Sequence, residues 1–140
     1  MTVAIRIPRD HFDAMVAHAL ADAPVECCGL LGARDGVVVA VHAARNVEAS
    51  PYRFKIDPLE TRRISDEMDD GGYQLAGFYH SHTGSDPVPS PTDVRMMGPF
   101  FGPPCVHFVV GVKDREHPDV RAWYIVDGDK TAQEFEILEP

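Results

Sequence analysis

The chain has 140 residues, of which 44% are hydrophobic and 25% charged, with a formal net charge of −9. That is the composition of a globular protein with a core of its own, read as one domain over 1–140 without repeats or linkers. The acidic balance argues against a nucleic-acid binder, which needs a basic face to neutralise phosphates, and disfavours an anionic membrane surface.

No apolar run approaches the roughly 20 residues that span a bilayer, and MTVAIRIPRDHF lacks the apolar stretch of a signal peptide. A cytoplasmic location is expected. Three cysteines, Cys27, Cys28 and Cys105, are too few and too odd for a disulfide framework and read as reduced, buried thiols.

In chain order, residues 9–22 space Phe12, Met15, Val16, Ala19 and Leu20 as one face of an amphipathic helix, which Pro24 ends. ECCGLLGARDGVVVAVHA reads as two strands joined at Arg34-Asp35-Gly36. NVEASPYRFKI reads as a loop leading into a short strand, with Asn46 either fixing that loop or making a plain Asx turn. Asp57-Pro58-Leu59-Glu60 opens a helix with Asp57 as N-cap and Glu60 in capping-box register, and Gly71-Gly72 closes it. QLAGFYH and PPCVHFVVGV are strands, residues 92–98 a short helix after Ser90-Pro91, and RAWYIVDG with AQEFEIL a closing pair about Asp127-Gly128. The order predicts an α+β fold, a mixed and mainly antiparallel sheet with helix packed on it.

The chemistry concentrates in GFYHSHTGSDPVPSPTDV, residues 77–94. Residues two apart on a strand share a side, so His80 and His82 can converge on one point with Ser81 facing away. Gly84 and the prolines after it let the chain arc back and deliver Asp93. Two imidazoles and a carboxylate are zinc ligands that leave a fourth position open, as catalytic zinc sites do. Such a site needs a base and an oxyanion donor. Ser90 is placed for the donor, and Glu26, at a helix-to-strand junction before CCGLLG, is the best candidate for the base. The plainer alternatives are an exposed histidine pair at a strand end, a solvated carboxylate at a helix terminus and a serine that starts a turn. Ser81 and Asp86 are read as supporting or loop residues, and Trp123 as core.

Glu26, then His80-Ser81-His82, then Ser90 and Asp93, resembles the JAMM (MPN+) metalloproteases. The order of helix, ECCGLLG, NVEASPYRF, helix and a strand ending in YHSH follows that family over most of the chain. The resemblance implies a cytidine-deaminase-like α/β JAMM/MPN fold with two main helices flanking the sheet. One Zn²⁺ would be held by His80, His82 and Asp93, with Glu26 as general base and Ser90 bonding the oxyanion. Thr83-Gly84 departs from the family, where proline often follows the second histidine.

The resemblance also implies hydrolysis after the C-terminal Gly-Gly of a ubiquitin-like or sulfur-carrier β-grasp protein, whose extended tail passes over the metal. With 53 residues between Glu26 and His80 there is little room for the insertions of the specialised deubiquitinases, and the build resembles the compact prokaryotic members. A homodimer is compatible with the sequence. The rival readings are a scaffold module, whose relatives have lost the ligands that this chain keeps, and a deubiquitinase-like or short-peptide metallopeptidase.

Overall fold

Eight strands and three helices make up the computed structural model, which describes residues 3–140. They are β1 (Ile5–Pro8), α1 (Arg9–Asp22), β2 (Cys28–Arg34), β3 (Val37–Ala44), α2 (Pro58–Gly71), β4 (Gln74–His82), α3 (Pro91–Met97), β5 (Val106–Gly111), β6 (Asp119–Val126), β7 (Asp129–Gln133) and β8 (Phe135–Leu138). All the strands belong to one sheet, ordered β7-β6-β5-β4-β2-β3-β1-β8. Four neighbouring pairs are antiparallel and three, β1/β3, β1/β8 and β4/β5, are parallel. The fold is α+β with α1 and α2 as its main helices, as expected.

Each face of the sheet carries its own core. Leu31, Tyr79, Phe108 and Val110 pack with Met15 and Ala19 of α1. Leu30 and Phe78 pack on the other face with Ile64 and Met68 of α2 and Val94 and Met97 of α3. Covered on both sides, β2 and β5 read as unbroken buried runs rather than an alternation. Gly29 is required by packing: a Cβ there would lie 2.3 Å from the Tyr79 ring. That ring is 1% exposed, and its hydroxyl shares a 2.7 Å hydrogen bond with His18 Nδ1, fastening α1 to the sheet. The Arg34-Asp35-Gly36 turn forms as expected, with positive φ at Asp35 (54°) and Gly36 (78°).

Four local expectations are corrected. A strand not read from the sequence, β1, lies between β3 and β8 with Ile5 and Ile7 buried and Arg6 exposed. No strand forms in NVEASPYRFKI, because the Val47 N–H donates to the Lys55 carbonyl and the Lys55 N–H to Asn46 Oδ1, so the segment's bonds close within the loop. Asp57 caps α2 by accepting from the Leu59 N–H, but Glu60 accepts from the Arg45 N–H instead of completing a capping box. AQEFEIL, finally, is divided: β7 pairs with β6, while β8 runs parallel to β1 at the opposite edge.

Only Glu134 separates β7 from β8, so the sheet must curl until its two edges almost meet. Phe135 of β8 accordingly lies 6.1 Å from Phe12 of α1 and 5.0 Å from Phe108 of β5, ring centre to ring centre. The helix α1 fills the concave side. Among the described residues no helix is long and apolar enough to cross a membrane.

Candidate metal centre

Parallel neighbours need a crossover. The chain leaving β4 must therefore return over the sheet before β5 begins, and this return lays α3 against the end of β4. His80 and His82 occupy that end on one face. Their Nε2 atoms are 3.2 Å apart, and Asp93 Oδ2 lies 3.0 Å from the first and 3.3 Å from the second. All three residues are at most 5% exposed. Asp93 is held by a capping box at the start of α3: its N–H donates to Ser90 Oγ, and its Oδ2 accepts from the Ser90 N–H at 2.9 Å.

This donor set fits a zinc ion. Ligand atoms at 2.0–2.2 Å around a tetrahedral centre stand about 3.3 Å apart, the separation found here. The His82 Nδ1–H donates to the Asp86 carbonyl at 2.8 Å, which turns Nε2 toward the cluster as a lone-pair donor. Burial alone would raise the Asp93 pKa, but the charge of His80 and the bonds from both histidines and the Ser90 N–H hold it well below the carboxylate range. Burial works against a charged His82, yet its contacts with Asp93 and the Asp86 carbonyl raise its pKa on balance. A metal would displace that proton.

Glu26 lies beside this cluster, 3% exposed, with Oε1 lacking any protein partner. Burial lifts its pKa from 4.5 to about 8, with the charge of His82 opposing and that of Asp93 adding. An unpaired buried carboxylate is costly in a core but suits a group that exchanges protons with a bound molecule. Glu26, His82 and Ser90 open onto one cleft of about 440 Å³, which Pro51, Tyr52, Thr83, Gly84 and Ser85 also line. The five site residues read from the sequence are thus gathered in one place.

Several contacts support the site; those of Phe54 and Trp123 were not legible beforehand, whereas Ser81 facing away and a buried Cys27 were expected. Phe54 stacks on His80 at 4.5 Å. Trp123, expected in the core, is half-buried and its Nε1–H donates to the Pro87 carbonyl, bracing the loop between His82 and Ser90. Ser81 turns to the other face, where its Oγ accepts from the Cys27 N–H. Cys27 packs in the α1 core with its thiol pushed up to about 12 by burial, outside the cluster of ligand atoms.

The family model for prokaryotic homologs of the JAB domain matches residues 8–126. A CysO-cysteine peptidase of Mycobacterium tuberculosis is 33% identical over 142 residues, covering 99% of this chain and 94% of that protein. A desampylase of Haloferax volcanii is 41% identical over 96 residues, covering 64% of this chain and 69% of the relative. A protein from Desulfitobacterium hafniense, solved in solution, superposes with a TM-score of 0.86 at 28% identity, over 97% of this chain and 94% of that one. The chain belongs to the prokaryotic JAB family and is a compact JAMM-type peptidase.

Proposed function

We propose that the protein is a zinc-dependent peptidase or isopeptidase that cuts after the C-terminal Gly-Gly of a ubiquitin-like or sulfur-carrier protein. The observation that carries this reading is the convergence of His80, His82 and Asp93 beside an unpartnered Glu26 in one cleft. The names of the relatives, a CysO-cysteine peptidase and a desampylase, support the substrate class.

His80 Nε2, His82 Nε2 and Asp93 Oδ2 would hold the ion. Zinc bound there supplies Lewis acidity and makes a water easier to ionise near neutral pH. Glu26 receives the proton of the attacking water and returns it to the departing amine as the C–O bond forms and the C–N bond breaks. Its burial-raised pKa, brought down by a neighbouring cation, suits both transfers near neutrality. Ser90 Oγ already accepts from the Asp93 N–H, and its own proton remains available for the carbonyl oxygen as that oxygen gains charge.

The test is mass spectrometry of a β-grasp carrier ending in Gly-Gly plus one further residue, incubated with zinc-loaded protein with and without chelator. Chelator-sensitive loss of the last residue is expected. An uncut carrier, with zinc verified in the protein, would overturn the substrate assignment.

A further inference from the structure

Glu26 has one notable feature besides its unpaired carboxylate: both polar groups of its backbone are spent on the same loop. Its N–H donates to the Ser50 carbonyl at 2.9 Å, and its carbonyl accepts from Asn46 Nδ2 at 3.0 Å. The same Nδ2 also donates to the Arg53 carbonyl at 3.0 Å. Asn46 Oδ1 accepts from the Glu48 and Lys55 N–H groups, both at 3.1 Å. A side-chain amide has two donor protons and two acceptor lone pairs, and Asn46 uses all four. Three of its bonds close the loop on itself, and the fourth ties the loop to Glu26.

The loop so held touches the site at both ends of the proposed chemistry. Pro51 and Tyr52 line the cleft together with Thr83 and Gly84, with Tyr52 84% exposed. Two residues further on, Phe54 turns inward to 4% exposure and stacks on the His80 ring. One amide therefore sets three things together: the backbone of Glu26, the lining of the cleft, and the aromatic face against His80.

We infer that Asn46 is a positioning residue for Glu26, holding the carboxylate at its working distance from the metal cage through the Glu26 carbonyl and the 46–55 loop. The inference rests on the reading of Glu26 as the proton carrier. Asn46 reaches neither substrate nor metal in this scheme, so its effect should fall on turnover rather than on metal or substrate binding.

Asn46→Asp is the informative variant, because it keeps both acceptors and the size of the side chain while removing the two donors that reach the Glu26 and Arg53 carbonyls. Amide hydrogen exchange on the zinc-loaded variant should be at least tenfold faster at Glu26 and across 46–55, and unchanged in β4 and β5. Zinc should stay at one per chain. On the Gly-Gly carrier, kcat should fall roughly tenfold to a hundredfold, the scale for a misplaced reacting group, with KM within about threefold. Unchanged exchange at Glu26, or unchanged kcat, overturns the inference, as does loss of zinc. Asn46→Ala, which also releases the Glu48 and Lys55 N–H groups, should show the larger effect on both readouts. Glu26→Ala run in parallel separates the two ideas: an active Glu26→Ala sinks the base assignment, whereas an inactive Glu26→Ala beside a fully active Asn46→Asp sinks only the positioning role. If the parent protein leaves the carrier uncut, the substrate reading fails by itself and the exchange result decides the inference.

Discussion

At the scale of single residues, Glu26 brings two effects into opposition. The fold leaves its carboxyl buried without a partner, at a cost to stability, and gains from it a group that titrates near neutrality. In the metal-free protein the folded state keeps a proton that the unfolded chain releases above its ordinary value of 4.5. Glu26 thus contributes stability that is fully present below that value and is lost as the pH rises through about 8. Urea denaturation of chelated protein should show the parent losing stability relative to Glu26→Gln across this window, by at most about 1.4 kcal/mol per pH unit. A constant difference between the two would refute the buried, proton-holding state. In turnover, Glu26→Ala should bind zinc normally and lose at least about 100-fold in rate; zinc loss would instead make Glu26 part of the cage. The spacing His-x-His, Ser, Asp was visible in the sequence because period 2 on a strand dictates convergence. For Asn46 the sequence offered two readings, fixing its loop or a plain Asx turn, and could not choose between them, since its partners at Glu26, Arg53 and Lys55 are assembled only when the loop folds.

Among the elements, α3 shows how a secondary-structure rule and a site can share atoms. The capping box expected at Asp57 and Glu60 is absent there and present at Ser90 and Asp93. Helix-start chemistry thus aims a carboxylate oxygen at two histidines. Ser90→Ala should cost about 1 kcal/mol through the lost cap. It should also weaken zinc binding a few-fold, because the Asp93 backbone loses its Ser90 Oγ anchor while the Ser90 N–H still holds Oδ2; titration with a competing chelator measures this. Unaltered zinc affinity would mean that the cap does not hold Asp93. Packing between elements is equally specific at Gly29. Gly29→Ala drives a Cβ into the Tyr79 ring, and the expected loss is about 1–3 kcal/mol in thermal or urea unfolding. Strand β1 escaped the sequence reading for an elementary reason: with Ile5 and Ile7 as its only alternation, four residues carry too little pattern to stand out before the helix.

For the molecule as a whole, the decisive feature is the one-residue step from β7 to β8. AQEFEIL looked like the second arm of a hairpin because its alternation is continuous; nothing local announces that the chain changes edges at Glu134. Curling of the sheet settles it, through the Phe12, Phe108 and Phe135 cluster. Phe135→Ala should lower stability by about 2 kcal/mol, less than for a fully buried ring because Phe135 is half-exposed. The metal site, on β4 in the middle of the sheet, should keep its zinc affinity in that variant.

The pairing of β1 with β8 also bears on how the protein comes into being. Ile5 meets Phe135 and Ile7 meets Ile137, so β1 must wait for a strand translated after the other seven. Contacts of such long sequence separation are slow to form. Until β8 arrives, nascent β1 has one backbone edge unclaimed, and α1 lies in a trough still open on that side. The window in which β1 can pair wrongly with a neighbour is therefore fixed by the time that separates its own synthesis from that of β8.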